Sequence, residues 1–561
     1  LIQNLFGSIA HADRFGTPES RYQTTFFQYL EPSRFLLVSD PQAIKGFYQG
    51  GVNWYEPAYL LPFLAPLFWW ALLLGALVGM CLCLNILIRR AWTDHEKLSF
   101  PIVQLPMAMT NPDTRGQPFW RSRTMWAGFA LAALIDFSNG MHYLIPPWPY
   151  LEQVKLYNVG QFFTQRPWSA MGVTNISMYP FAIGLAYFLP LDLAFSCWFF
   201  WVARKLFQVV GAVFGWDAPT NVGFPYFEQQ SSGAWIALAF ITVWSLRRQF
   251  AHAWRLAFGS GNLPSEYSTP DTENPLAERR RFRAAFLGLA MGTAFLAWFS
   301  YRIALSFWVA ALFFGLFFLL AIAITRVRAE FGTPHEIYFV NPRTVLVTLF
   351  GVNTIGAQNL TSLSVLYWFN RGYRCHPMPN QLEAFKMAEG GRMQTNRLIW
   401  LLIAATLFGI LCAYWANLHV TYAEGATGKS VGFKRWVGAE SFDRLNGWLQ
   451  TPTKPNRTQI GYVIGGALMV LGLRVLRGAF IWWPFHPAGY ALAVSYAMDY
   501  FWFAFFVSWF IKLLIVRFGG MKAHNAGVPF FLGLILGDYV AGSLWAIYGP
   551  LNGLQTYKIY I

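Results

Sequence analysis

Long apolar runs separated by short polar clusters set the pattern of this chain. They recur at 60–88, 124–144, 177–200, 233–246, 282–300, 303–324, 398–415, 461–473, 491–515 and 528–548. A helix rises 1.5 Å per residue, so about 20 apolar residues cross a hydrocarbon core of roughly 30 Å. Most of these runs have that length, and the pattern predicts helices that span a membrane. Pro180, Pro190 and Pro529 fall inside runs and predict kinks or breaks. The piece 100–109 is apolar but too short to cross. It follows the charged knuckle Arg89-Arg90-Ala91-Trp92-Thr93-Asp94-His95-Glu96-Lys97 and predicts a half-helix that dips back.

Basic residues cluster at the ends of runs, at Arg89-Arg90, Arg204-Lys205, Arg247-Arg248, Arg279-Arg280-Arg281, Arg326 with Arg328, and Arg474 with Arg477. The positive-inside rule puts these ends in the cytoplasm. The loop 146–175 holds only Lys155 and Arg166 among many aromatics and is expected outside. Two segments then break the alternation of sides. Both ends of 206–246 look cytoplasmic, and so do both flanks of 344–369, whose middle is Gly351-Val352-Asn353-Thr354-Ile355-Gly356-Ala357-Gln358-Asn359-Leu360-Thr361-Ser362. A broken helix or a re-entrant hairpin in each restores the alternation. The stretch 351–364 is expected to oppose 100–109 across a shared cavity.

The fold class that follows is an all-α polytopic membrane protein with at least ten transmembrane helices, some broken or re-entrant. An N-terminal external segment covers 1–56 and a single transmembrane domain covers 57–561, with a cytoplasmic linker at 247–281 and an external loop at 418–457. The chain starts at Leu1 rather than Met, and 1–56 holds no cleavable signal pattern, so either a start was removed or further helices precede it, and ten is a minimum. Composition agrees: 55% of the 561 residues are hydrophobic, 19% aromatic and 12% charged, against about 25% charged in soluble domains. The net charge of +16 sits at run ends, so anionic lipid and topology account for it and nucleic acid is not expected. Cys81, Cys83, Cys197, Cys375 and Cys412 form no disulfide framework or zinc spacing.

Ionisable groups inside apolar runs are costly and point to function. Asp136, Asn139 and His142 recur at helical spacing on one face, fit to take a coupling proton or to form a satisfied polar cluster. Glu228 precedes Gln229, Gln230, Ser231 and Ser232, a set suited to a polar ligand and expected to face a cavity. Asp538 lies deep in Gly533-Leu534-Ile535-Leu536-Gly537-Asp538, whose glycines allow close helix contact. Gln104, Asn353, Gln358 and Asn359 complete the expected substrate-binding set, and Asp136, His142 and Asp538 the expected proton-coupling set. Metalloprotease, serine-hydrolase and Walker-type phosphate motifs are absent, so no catalytic residue, metal or cofactor is expected.

Glu96-Lys97-Leu98-Ser99-Phe100-Pro101 is similar to the half-helix motif of the oligopeptide transporter superfamily, which includes peptide and yellow-stripe-like metal-chelate transporters. The C-terminal Arg517-Phe518-Gly519-Gly520, Pro529-Phe530 and Gly533 to Asp538 resemble its final-helix pattern. Pro190-Leu191-Asp192 and Arg326-Val327-Arg328-Ala329-Glu330-Phe331-Gly332 resemble a divergent prokaryotic branch, while Ile102-Val103-Gln104 replaces the usual Gly-Thr-Ala. The resemblance implies proton-coupled uptake of small peptides or metal chelates by alternating access, in the bacterial cytoplasmic (inner) membrane. Expected partners are that polar substrate, membrane lipids, and further copies or a larger membrane complex. The competing reading is a non-transporting subunit that scaffolds a complex. A polar cavity lined by Gln104, Glu228 and Gln358 discriminates the two: open in a carrier, filled in a scaffold.

Overall fold

A computed structural model describes residues 2–110, 118–218, 223–259, 275–332, 340–373, 375–429 and 432–558. His335, Arg115, Arg374 and residues 260–274 of the expected linker 247–281 lie outside the described residues. Helices dominate, and the single sheet among the described residues pairs β1 (Tyr157–Asn158) with β2 (Asn175–Ile176). Seven helices are long and apolar enough to cross a membrane, which makes the chain an all-α integral membrane protein.

The chain begins with five short helices, α1 (Ile2–Ser8), α2 (His11–Phe15), α3 (Tyr22–Thr25), α4 (Phe27–Leu30) and α5 (Pro41–Gln49). Next, α6 (Pro57–Arg90) runs about 50 Å, ends in one π-helical turn (Ala91–His95), and leads to the ten-residue α7 (Pro101–Thr110). We call the end of the molecule at Arg90 the basic face. α8 (Arg123–Leu144) returns from it to a loop carrying α9 (Glu152–Lys155) and the two strands.

The expected span 177–200 is not one helix. It is divided into α10 (Pro180–Tyr187) and α11 (Leu191–Val213), because Pro190 cannot donate to a helix and disfavours helical backbone just before it. This break reverses the expected placement of Arg204-Lys205. Lys205 donates to the carbonyls of Met171 (2.8 Å) and Val173 (2.7 Å) in the aromatic loop, and Arg204 pairs with Asp499 at 3.3 Å. The opposite end of α11 lies at the basic face. These two cations are thus satisfied inside the protein, where the charge rule does not apply.

Next come α12 (Phe227–Ser245), α13 (Arg247–Phe258), α14 (Pro275–Arg302) and α15 (Phe307–Phe331). They are followed by α16 (Pro342–Ile355), α17 (Ala357–Val365), α18 (Tyr367–Asn370) and α19 (Pro377–Gly390). The 344–369 stretch breaks as expected: Gly351 (φ 76°, ψ 164°) and Gly356 (φ 83°, ψ 155°) adopt backbone open only to glycine. It does not oppose α7, however. Ser306, at one end of α15, donates its N–H to Asn359 Oδ1 (2.8 Å), whereas Ala329, near the other end, accepts from the Phe100 N–H (2.8 Å). Twenty-three residues of helix separate these contacts by about 34 Å, so no cavity is shared.

The chain ends with α20 (Thr395–Glu424), α21 (Phe433–Gln450), α22 (Arg457–Ala479), α23 (Pro487–Ala493) and α24 (Met498–Asn552). The last is a hairpin rather than a rod. The Phe181 ring lies 5.7 Å from Phe501 and 5.5 Å from Tyr539, residues that a straight helix would hold roughly 57 Å apart. Gly520 (φ 62°, ψ −167°) makes the reversal.

Residues 418–457, expected as an external loop, are largely helical. α21 packs against α1 and α2 to form a lobe with the N-terminal segment, opposite the basic face. Tyr22 donates to Asp443, Trp70 donates to the Leu36 carbonyl (2.8 Å), and His11 stacks on Phe442. His11 is buried and its Nδ1 lacks a hydrogen-bond partner. Burial, then the nearby Arg435, push its pKa down to about 3. The unfolded chain therefore takes up this proton first, and the stability tied to neutral His11 is complete above pH 6.5 and lost as pH falls toward 3. Thermal melts from pH 7 to 5 are expected to cost the wild type about 2 kcal/mol more than His11→Phe; parallel losses would place the acid sensitivity elsewhere.

Candidate functional site

α8 packs backbone to backbone against the second leg of α24. A Cβ added at Gly533 would lie 2.1 Å from the Met125 carbonyl oxygen, and one at Gly537 2.3 Å from that of Phe129. From the other side, a Cβ at Gly128 would meet the Phe530 carbonyl at 2.1 Å. Small residues spaced by four let helix backbones touch where lipid provides no hydrophobic drive for association. α10 closes the third side, with Gly184 against Phe531 and Ile535.

This contact sets Asp136 and Asp538 at one level, and both carboxylates bind the ammonium of Lys155. Nζ lies 2.7 Å from Asp538 Oδ1 and also donates to Asp136 Oδ1. Asp538 Oδ2 accepts the N–H of Phe181 at 2.9 Å, in the first turn of α10, where the helix dipole favours an anion. The rings of Tyr179 and Tyr557 lie 6.0 and 5.4 Å from Nζ. Trp545 donates to the backbone carbonyl of Asp136, and Asn139 Oδ1 accepts from the Leu151 N–H. Side-chain exposure is 0% for both aspartates and 2% for the lysine. Asp136 and Asp538, picked from sequence as proton-coupling residues, thus share one site. Lys155 escaped that reading because it comes from a loop where it counted only toward topology. The usable signal was a lone lysine eleven residues past a span that carries an acid.

The other candidates disperse. His142 contacts the Trp148 carbonyl through Nδ1 (2.8 Å) and stacks on Tyr150 beyond the triad. Gln104 is exposed near the basic face and donates to the Ser99 carbonyl (2.9 Å). Asn353 is exposed. Gln358 donates to the Tyr29 carbonyl (2.9 Å), binding α17 to the lobe. Asn359 uses both ends of its amide, on Ser306 N–H and the Ile355 carbonyl. Glu228 is exposed beside half-buried Gln229 at the lobe end of α12. The cavity expected from Gln104, Glu228 and Gln358 does not form, because the first lies at the opposite end of α15 from the third.

A different cavity of about 280 Å³ opens at the basic face, lined by Glu96, Thr242, Arg326, Glu330, Arg474 and His486 above an apolar floor that includes Leu238 and Phe331. Arg326 pairs with Glu96 (2.6 Å) and Glu330 (3.5 Å), and Arg477 pairs nearby with Asp192 (2.6 Å). Among the described residues no cluster of His, Cys, Asp and Glu could hold a metal ion.

Removing one partner from a buried ionic group strands the others, which typically destabilises by about 3–5 kcal/mol. Lys155→Met is expected to lose that much in thermal melts, and the added replacements Asp136→Asn and Asp538→Asn to recover most of it. A triple variant as unstable as the single one would mean that Lys155 acts through packing.

Comparison with curated proteins finds no match. The model of one family covers residues 1–561, and the chain belongs to that family, the family of unknown function DUF6785.

Proposed function

We propose that this chain is a secondary active transporter, with Asp136, Lys155 and Asp538 as its proton-coupling site. The triad carries the reading. With all three groups in their ordinary charge states it holds two negative charges against one positive charge, sealed from water. Taking up one proton balances it, and an uncompensated buried charge is expensive. Its members come from α8, a loop and α24, so a rearrangement that alters their separation alters proton affinity, and the proton reciprocally biases the rearrangement. A discontinuous helix beside such a site, here α10, is an element on which carriers build alternating access. Small peptides or metal chelates as cargo follow from the resemblance at 96–101 and 517–538, and the bacterial inner membrane follows with them.

One observation favours the scaffold reading: the expected polar cavity is absent, and Asn359 and Gln358 are engaged within the fold. Purified protein in liposomes loaded with a pH-sensitive dye separates the two. Di- and tripeptides and metal chelates added outside should acidify the lumen with wild type, and Asp136→Asn or Asp538→Asn should cut the proton flux at least tenfold at equal incorporation. Wild-type vesicles that move neither solute nor proton across the whole panel would leave the scaffold reading in place.

A further inference from the structure

At the basic face, α13 joins α12 to α14 and carries Arg247-Arg248-Gln249-Phe250-Ala251-His252-Ala253-Trp254-Arg255-Leu256-Ala257-Phe258. Ala253 and Ala257 are fully buried, and Gln249 donates to the Leu87 carbonyl near the end of α6 (2.9 Å). The Trp254 and Phe258 rings lie 5.2 and 5.8 Å from Phe286 of α14. Arg283 and Arg279 donate to the last carbonyls of the α13 segment, at Ala257 (3.1 Å) and Gly259 (2.7 Å). The helix is therefore fixed to the ends of two long apolar helices.

Its outer surface combines cations and aromatics. Arg247, Arg248 and Arg255 are exposed on α13, as are Arg280 and Arg283 at the start of α14. Trp254 is 56% exposed and Phe258 43%. None of the five arginines has a carboxylate partner among the described residues. Arg247 reaches the Trp244 carbonyl and lies 4.6 Å from the Trp244 ring, Arg255 reaches the Ala251 carbonyl, and the adjacent acid, Glu278, is taken by Arg90 at 2.7 Å.

We propose that this face of α13 and the start of α14 binds the phosphate headgroups of anionic phospholipids. A guanidinium presents a planar fork that matches phosphate oxygens. Tryptophan and phenylalanine flanked by arginine suit the boundary between headgroups and acyl chains. The patch is charged and exposed, its arginines lack carboxylate partners among the described residues, and an anionic leaflet brings it the complementary charge. This assignment stands independently of any transported solute.

The test uses the full chain in detergent with mixed phosphatidylglycerol and phosphatidylcholine, with retained lipids counted by native mass spectrometry. Wild type should retain phosphatidylglycerol at least tenfold over phosphatidylcholine. Replacing Arg248, Arg255 and Arg280 by Gln should remove most of that preference at an unchanged melting temperature, since each arginine near an anionic surface contributes about fivefold. Replacing the same three by Lys should keep part of it. A preference unchanged in the Gln variant overturns the proposal, and so does a wild type without preference. A preference that emerges only after Glu266, Asp271 and Glu273 are neutralised also overturns it, because the patch then serves the chain's own linker.

Discussion

Backbone contact between α8 and the second leg of α24 is the constraint on which the centre of this molecule depends. Gly533 and Gly537 have no side chain because the carbonyls of Met125 and Phe129 occupy that space. Any methyl group there would push the helices apart, and Asp538, one residue from Gly537, would move with its helix. An ion pair at 2.7 Å in a medium of low dielectric weakens sharply when stretched and exposes both charges to an environment that solvates neither. Packing and electrostatics are here one interaction. The reversal at Gly520 and the break at Pro190 then follow as geometry, since they bring the first leg of α24 and the half-helix α10 against the same site.

Much of this fold is legible in the sequence. α6, α14, α15, α20 and α22 are apolar on nearly every side over most of a bilayer width, and no other structure satisfies their backbone in lipid. The breaks at 351–356 could be foreseen from glycine and polar density within an apolar frame. Direction was less legible. The charge rule treats every arginine or lysine as if it faced water, whereas Lys205 spends its ammonium on the carbonyls of a loop. One misplaced cation pair reverses a helix. The lobe was illegible for another reason: 1–56 and 418–457 are each too short and mixed to signal a core, and they bury apolar surface against each other and against the ends of the long helices, as His11 does on Phe442 and Phe47 on Phe63.

The candidate site divides along a similar line. Asp136 and Asp538 stood out because a carboxylate in an apolar run has few benign explanations. Asn353, Gln358 and Asn359 stood out for the same density of polar atoms, yet two of them do structural work. Every helix end leaves backbone groups without partners, and a chain broken at Gly351 and Gly356 creates several such ends. Asn359 supplies an acceptor to the N–H of Ser306 and a donor to the carbonyl of Ile355. Polar residues beside a break are needed by the break itself.

That distinction gives a physical test for polar groups in membrane helices: count donors, acceptors and charge, and ask what remains. Around Asn359 no charge is left over, and the amide oxygen and the amide nitrogen each have a partner supplied by the fold. At the basic-face cavity three acids, Glu96, Glu330 and Asp192, stand against three arginines, Arg326, Arg474 and Arg477, so the charges balance. At Asp136, Lys155 and Asp538 a remainder survives. Every hydrogen-bond donor brought to the two carboxylates, whether the ammonium or the N–H of Phe181, still leaves two acids against one base. Folding alone would be served by a single pair, or by apolar residues of the same volume, at no loss of stability. Hence the second carboxylate is the feature that stability does not explain, and the one from which a proton-linked role is argued.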